Sequence, residues 1–167
     1  FPPRVLAKEY LAINPLGTIP FMVDGETKMT ESSGICYYLG TKYGPTPLVV
    51  GLDDPAYGAF LNWMYFSDAT LTFPQTLVLR YSQLEPEERR NPQVAGDYAK
   101  WFLGRLRAVE AATANAETLC AGRFTAADIV NGYALRLAGN IGLAKDFGPN
   151  VAAYWARLQA REGYQRA

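Results

Sequence analysis

The stretch NPLGTIPFMVDGETKMTESS, residues 14–33, contains the signals that decide the fold of the first part of the chain. It opens with a turn cluster at residues 14–17 and continues into an apolar run of strand length at residues 19–23. The Asp-Gly pair that follows is a strong signal for a tight turn, and residues 28–30 then supply the returning strand. The stretch therefore predicts a β-hairpin that leads directly into a helix.

Helix signals flank this hairpin on both sides. Residues 6–13 are compatible with a short helix, and a second helix begins at Glu31-Ser32 and ends at Gly44-Pro45. The buried stripe of the second helix is expected at Ile35, Tyr38 and Leu39. A hairpin packed on one helix is marginally stable and leaves unpaired strand edges, so a larger sheet completed by further residues is the simplest expectation.

The rest of the sequence has the spacing of helices. Residues 44–54 open with Gly-Pro-Thr-Pro and are interpreted as a linker. Asp54-Pro55 predicts the N-cap and first residue of a helix longer than about 20 residues, which Pro74 should kink. A second long helix is expected from Pro92, and a last one after residues 148–150. The predicted organisation is an N-terminal part over 1–43, a linker over 44–54 and an all-α domain over 55–167.

The segment FTAADI, residues 124–129, marks the most explicit helix start in the chain. Thr125 can cap the backbone of Asp128, and Asp128 can reach back to the amide of Thr125, which is the reciprocal arrangement of a capping box. Phe124 and Ile129 occupy the two positions of a hydrophobic staple. The pattern predicts that an α-helix begins at this segment.

Composition and charge argue against several classes of function. Lysine plus arginine and aspartate plus glutamate both number 16, and no run of like charge provides the basic face that nucleic acids need. No apolar stretch approaches the roughly 20 residues that cross a bilayer. The chain contains 0 histidines, which removes histidine-based triads, imidazole bases and most zinc sites. The protein is therefore expected to use no metal and to bind neither nucleic acid nor membrane.

The two cysteines, Cys36 and Cys120, are far apart and have no CxxC spacing. Such a pair is most simply two reduced, partly buried thiols, with a disulfide or a ligand pair as the alternative. Cys36 falls inside the second helix on a face expected to be covered, so it is not interpreted as a nucleophile. A cytoplasmic location fits these features best.

Taken together, these motifs resemble those of glutathione transferases. NPLGTIP at residues 14–20, the Asp-Gly turn at residues 24–25 and TESSGI at residues 30–35 are similar to the glutathione site of that family, and FTAADI resembles the capping-box segment of its helical domain. The resemblance covers the whole chain in the correct order. It implies an α+β fold, in which a thioredoxin-like domain precedes an all-α helical bundle, in a protein that is usually a two-fold homodimer.

Compared with this family pattern, the sequence begins just before the second helix of the thioredoxin-like domain. The resemblance implies that the first strand, first helix and second strand are absent, so that this domain is incomplete. In the family, the residue that activates the glutathione thiol lies at or just after that first strand. It therefore cannot be named among these residues, and the chain as it stands is expected to have little transferase activity.

The resemblance implies a glutathione-binding site at Ile19, Pro20, Glu31 and Ser32. The peptide bond before Pro20 would be cis, which would aim the backbone of Ile19 outward to pair with the cysteinyl unit of glutathione. Ser32 would bind the γ-glutamyl carboxylate at the helix N-terminus, while Glu31 would meet the γ-glutamyl ammonium. The plainer alternatives are a trans edge-strand proline, a serine that only caps the helix and an acid that only favours its first turn.

Other candidate contacts follow from the same resemblance. Arg4 and Lys8 could meet the glycyl carboxylate, although a solvated basic side chain is the simpler interpretation. The pocket for the second substrate is implied against the long first helix of the helical domain, with the candidates Tyr65, Phe66, Thr70 and Tyr81. An aromatic stripe on a long helix is more often core or a dimer contact. Asp68 could reach the glutathione of a partner subunit.

The implied function is a glutathione transferase, with glutathione as cosubstrate and a hydrophobic electrophile as second substrate. Its chemistry is nucleophilic substitution or addition by the glutathione thiolate, as in detoxification. One alternative keeps the site but changes the reaction to that of a lyase, dehalogenase, isomerase or peroxide reductase. Another is a non-catalytic binding or assembly module. The presence of both Glu31 and Ser32 argues against the module, since a pure scaffold has no need of that pair.

Overall fold

The computed structural model describes residues 7–166. The chain divides into two compact units, Phe1–Pro45 and Thr46–Ala167, and the division falls inside the segment interpreted as a linker. Arg4 and the start of the helix predicted over residues 6–13 lie outside the described residues.

The first unit contains the predicted hairpin between two helices. Its elements are α1 (Lys8–Ile13), β1 (Met22–Asp24), β2 (Thr27–Met29) and α2 (Ser32–Lys42). The strands pair antiparallel, with Met22 opposite Met29 and Asp24 opposite Thr27. In the turn, Gly25 has a left-handed φ of 59°, which glycine adopts without steric cost. The hairpin prediction is confirmed, and the second strand begins one residue earlier than expected.

The buried face of α2 differs from the predicted stripe. Ile35 and Tyr38 are only half-buried, and Leu39 is 42% exposed. The prediction of a buried Leu39 is wrong. Among the described residues of this unit, only the hairpin and the short α1 are available to cover α2, and so small a surface leaves one helix face open to solvent.

The second unit is built from helices. Its α-helices are α3 (Tyr57–Phe66), α4 (Phe73–Leu79), α5 (Pro92–Ala112), α6 (Ala126–Asn140), α7 (Pro149–Gln159) and α8 (Glu162–Gln165). π-helical segments follow α3 and α4 at Ser67–Thr72 and Arg80–Leu84, and 3-10 turns lie at Glu87–Arg89 and Ala144–Asp146. The helix start predicted at Pro92 is therefore confirmed. The helix predicted to follow residues 148–150 is present, but it begins at Pro149, within that segment.

The first long helix begins later than the sequence indicates. It begins at Tyr57, so the prediction of Asp54 as its N-cap is wrong. Asp54 instead organises the preceding turn, where its Oδ1 accepts from the Ala56 amide at 2.8 Å and its carbonyl accepts from the Tyr57 amide at 2.9 Å. The aspartate prefers this local turn because it satisfies the amides that precede the helix.

The interruption predicted at Pro74 takes the form of the π-helical segment Ser67–Thr72, which ends just before α4. Proline has no N–H group and so breaks the regular series of backbone hydrogen bonds. The hydroxyl of Thr72 lies 3.0 Å from the carbonyl oxygen of Asp68 and donates within this segment. The helical path continues through Pro74, but its hydrogen-bond pattern changes there.

The core of the helical unit contains large side chains from several helices. Fully buried examples are Phe60, Leu71, Phe102, Leu135 and Tyr154. Two buried polar side chains also join the first long helix to α6. Ser67 Oγ donates to the Val130 carbonyl at 2.7 Å, and Gln75 Nε2 donates to the Ala134 carbonyl at 2.8 Å. Each such bond contributes about 1 kcal/mol, and together they fix the two helices in register.

The capping box at the start of α6 is confirmed. Asp128 is 0% exposed, and its Oδ2 accepts from the Thr125 amide at 2.8 Å. Its Oδ1 accepts from the Leu119 amide at 3.0 Å and from the Tyr154 hydroxyl at 2.9 Å. Burial raises the pKa of Tyr154, and the neighbouring Asp128 carboxylate raises it further. One carboxylate therefore connects a loop, the start of α6 and α7.

Candidate functional site

The peptide bond between Ile19 and Pro20 is cis, as predicted, and the trans alternative is wrong. Ile19 is 66% exposed. The loop before it is organised by the buried Asn14, whose Oδ1 accepts from the Leu16 amide at 3.1 Å. Residue 19 therefore lies at the surface, directly before the hairpin.

The start of α2 fits neither of the two simpler interpretations, in which Ser32 only caps the helix and Glu31 is only an acid of its first turn. Glu31 occupies the N-cap position and Ser32 is the first helical residue, with no side-chain hydrogen bond at the cap. Ser32 is thus not the capping residue, and Glu31 does not lie in the first turn. Both side chains are exposed. They leave the helix N-terminus, where free amides favour an anionic group, open to a ligand.

The hairpin register brings these residues to one end of the first unit. Met22 pairs with Met29, so the chain that enters β1 and the chain that leaves β2 emerge together. Pro20 and Glu31 each stand two residues beyond that pair. We call this the open end of the hairpin. All four predicted glutathione-binding residues lie at or next to it.

The opposite, turn end of the hairpin is tied to the C-terminal end of α2. Asp24 Oδ2 accepts from Lys42 Nζ at 2.7 Å, from the Tyr38 hydroxyl at 2.9 Å and from the Tyr43 hydroxyl at 2.6 Å. The Lys42 hydrogen bond, followed by those from Tyr43 and Tyr38, lowers the pKa of Asp24 to about 2. This cluster holds α2 on the hairpin and so positions the start of α2 at the open end.

Ser33 is a residue that sequence reasoning missed. It lies in the first turn of α2 next to Ser32 and is 5% exposed. Among the described residues, its hydroxyl has no hydrogen-bond partner. Buried hydroxyls are normally paired, so an unpaired one is notable. The second serine beside Ser32 is the sequence signal that could have drawn attention to it.

The candidates for the second substrate pocket are only partly brought together. Phe66 and Thr70 line a cavity of ≈ 370 Å³ in the helical unit, and Trp101 and Arg105 of α5 line its other side. Tyr65 is 69% exposed and does not line this cavity, since neighbouring helical residues point about 100° apart.

The remaining candidates lie elsewhere. Tyr81 belongs to the second π-helical segment, where the guanidinium carbon of Arg80 lies 5.4 Å from its ring centroid. Asp68 is half-buried in the first π-helical segment. Lys8 is exposed on α1. Neither Tyr81 nor Asp68 lines the cavity that contains Phe66 and Thr70.

An exposed aromatic surface lies beside this cavity. Phe73 is 50% exposed and Trp101 is 44% exposed, and their ring centroids are 6.3 Å apart in an edge-to-face contact. Tyr98 stacks on Trp101 at 5.5 Å. We call these three residues the aromatic surface. Contiguous exposed aromatic groups of this kind are typical of protein contacts.

A second cavity of ≈ 720 Å³ lies elsewhere in the helical unit. Phe124, Ile129, Tyr133 and Trp155 contribute to its walls, together with Arg136 and Arg161. It contains none of the predicted site residues. Phe124 and Ile129, the predicted hydrophobic staple, both face it.

Three general features of the described part of the chain also bear on chemistry. Across residues 7–166, no group of three or more His, Cys, Asp and Glu side chains could hold a metal ion. Within the same residues, no helix is long and apolar enough to cross a membrane. Cys36 and Cys120 are not joined by a disulfide, and burial raises the pKa of the Cys120 thiol.

Comparison with known proteins found relatives for both the first unit and the helical unit. The family model described as Glutathione S-transferase, N-terminal domain, matches residues 2–47. Glutathione S-transferase hmp2 of Hypomyces subiculosus is 33% identical over 96% of this chain and 79% of its own length. Glutathione S-transferase GstB of Escherichia coli K12 is 26% identical over 95% of this chain and 76% of its own length.

A solved structure shows the same likeness. The glutathione transferase URE2P6 from Phanerochaete chrysosporium, in complex with oxidized glutathione, has a TM-score of 0.83 and 25% identity over 96% of this chain and 76% of that chain. The predicted α+β fold, with thioredoxin-like and all-α helical parts, is confirmed. The chain belongs to the glutathione transferase family and is a transferase enzyme.

Proposed function

We propose that the protein binds glutathione at the open end of the hairpin and directs its thiolate at an electrophilic carbon of a hydrophobic small molecule. The observation that carries this proposal is the exposed residue Ile19 before a cis peptide bond, at the same hairpin end as the start of α2, whose N-cap makes no side-chain hydrogen bond. An extended peptide can pair with strand-like backbone, and a carboxylate can bind at a helix N-terminus. Glutathione offers both groups. The complex of the related URE2P6 with oxidized glutathione supports the proposal.

Each residue at the open end has a distinct proposed role. The Ile19 backbone pairs with the cysteinyl unit, and the cis bond to Pro20 shapes the chain for that pairing. The Ser32 hydroxyl and the first amides of α2 hold the γ-glutamyl carboxylate. Glu31, exposed beside them, binds the γ-glutamyl ammonium as a charge-assisted partner.

The proposed reaction uses the sulfur of the cosubstrate. The glutathione thiolate attacks an electrophilic carbon, a C–S bond forms, and either a leaving group departs with its electron pair or a proton completes the addition. The proposal assigns binding and orientation to the open end. It assigns thiol activation to none of the described residues.

The proposal also includes the second substrate, the assembly and the location of the protein. Phe66 and Thr70 contact the hydrophobic electrophile in the cavity that they share with Trp101. The adjoining aromatic surface is the contact of a homodimer, because exposed stacked rings are stabilised by burial against a second apolar surface. A cytoplasmic location is supported by the two cysteines, which form no disulfide.

The binding proposal is tested by calorimetric titration with glutathione. Ser32→Ala should raise the dissociation constant about tenfold or more, because a hydrogen bond to a charged group is lost. Ser82→Ala is the matched control, since Ser82 only donates to the Val78 carbonyl on the helical unit. If the unaltered protein shows no glutathione binding, or if both variants bind like it, the site is assigned wrongly.

A further inference from the structure

Tyr10 on α1 contacts both residues that flank the Ile19–Pro20 dipeptide. Its hydroxyl donates to the carbonyl oxygen of Thr18. Its ring lies edge-on to the ring of Phe21, with centroids 6.5 Å apart. One side chain therefore holds the chain immediately before and immediately after the cis peptide.

Asn14 acts on the same carbonyl. Its Nδ2 donates to the Thr18 oxygen at 2.8 Å, while its Oδ1 is occupied by the Leu16 amide. Asn14 is 2% exposed, so these bonds are sheltered from water. Because a carbonyl oxygen has two lone pairs, the Tyr10 and Asn14 donors together occupy both positions on Thr18.

The orientation of the Thr18 carbonyl determines the direction of the Ile19 amide. The two groups belong to one planar trans peptide, in which C=O and N–H point in opposite directions. The two donors pull the Thr18 oxygen toward α1 and the loop, so the Ile19 N–H points away from them. Ile19 is 66% exposed, and within the described residues its amide donates to no acceptor.

We propose that Tyr10 and Asn14 are positioning residues that aim the Ile19 N–H at the cysteinyl carbonyl of bound glutathione. The inference rests on the proposed function. With the Thr18 peptide plane held in advance, glutathione binds without first ordering this backbone, which lowers the entropic cost of pairing. Neither residue touches the ligand, and their effect passes through Thr18 and Ile19.

The test compares two ligands by NMR titration of the whole chain. Glutathione contains the cysteinyl carbonyl, whereas γ-glutamylcysteamine keeps the γ-glutamyl group and the thiol but lacks that carbonyl. Tyr10→Phe should weaken glutathione binding about three- to tenfold, as expected for one poorly oriented hydrogen bond. It should leave γ-glutamylcysteamine binding unchanged. The glutathione-induced shift of the Ile19 amide resonance should also decrease.

Two controls make the outcomes decisive. Tyr133→Phe removes a tyrosine hydroxyl from α6 of the helical unit, where Tyr133 is 59% exposed, and should change neither affinity. Ser32→Ala should weaken both ligands. Unchanged glutathione binding in Tyr10→Phe, or equal weakening of both ligands, overturns the inference while Ser32→Ala still supports the proposed function. If the unaltered chain binds neither ligand, the proposed function and the inference both fail.

Discussion

Glu110 on α5 lies so close to Gly148 that a Cβ atom at residue 148 would stand 2.4 Å from Glu110 Oε2. The closeness has a clear cause. The carboxylate covers the start of α7, where its two oxygens accept from the Asn150 amide at 3.0 Å and the Val151 amide at 2.9 Å. An acidic side chain from one helix thus supplies the cap of another.

Gly148→Ala should therefore destabilise the protein. The added methyl group displaces the Glu110 carboxylate and leaves the first amides of α7 without their acceptor, at a cost of about 1–3 kcal/mol in the free energy of unfolding. Urea denaturation measures the loss. Gly139→Ala is the matched control, because a Cβ at residue 139 meets nothing within 4 Å. Equal stability of the two variants would contradict the role of Glu110.

The Asp24 cluster should give the first unit a specific dependence on pH. The folded pKa of Asp24 is lowered from 3.8 to about 2, so its contribution to stability is complete above pH 3.8 and disappears as the pH falls toward 2. Asp24→Asn should be less stable at neutral pH and should lose less stability on acidification. Amide exchange in β1 and α2 follows this unit directly. The exposed Asp97, 4.0 Å from Lys100, provides the control Asp97→Asn.

Asp128→Asn should destabilise the helical unit although the two side chains have nearly the same shape. The Thr125 amide, the Leu119 amide and the Tyr154 hydroxyl all donate to this buried carboxylate. The side-chain NH2 group of asparagine would face one of these three donors and could not accept its hydrogen bond. The substitution should cost about 2–4 kcal/mol of unfolding free energy. Tyr154→Phe removes a single donor to the carboxylate and should cost less than Asp128→Asn, about 1.5–3 kcal/mol. A smaller loss in Asp128→Asn than in Tyr154→Phe, by thermal unfolding, would contradict this account.

The aromatic surface predicts how the protein assembles. If the proposed homodimer forms through this surface, Trp101→Glu should convert it into monomers at micromolar concentration, because the substitution places a charge among stacked rings that the contact would bury. Sedimentation velocity measures the change. Leu52→Glu changes another exposed apolar residue, 79% exposed, and should leave the dimer intact. A monomeric unaltered protein, or a dimeric Trp101→Glu, would show that this surface is not the contact.

Features encoded over short stretches of sequence were predictable. The Asp-Gly turn and the capping box of Thr125 and Asp128 each depend on a few neighbouring residues, and both are present. The cis Ile19–Pro20 bond is also present, but it was implied by the family resemblance. Local patterns also misled, since Asp54 forms a turn before the helix that it was expected to cap, and Leu39 is exposed although helical spacing predicted its burial.

Contacts between distant residues carried no readable signal. Glu110 meets the start of α7 about 40 residues away, and Asp24 meets Lys42 on another element. Both pairs depend on how the elements pack, which a single sequence does not reveal. The action of Tyr10 on Thr18 was missed for a related reason, because a tyrosine on a short helix is usually interpreted as packing alone.

The hairpin register has a consequence for tolerance to insertions and deletions. Pro20 and Glu31 are equally distant from the Met22–Met29 pair. One residue added to or deleted from either strand would shift Pro20 relative to Glu31. It would also reverse which side chains of that strand face α2. An insertion between Gly25 and Glu26 would lengthen only the turn. Natural length variation, or a label introduced by protein engineering, should therefore be accommodated at that turn and nowhere else in the hairpin.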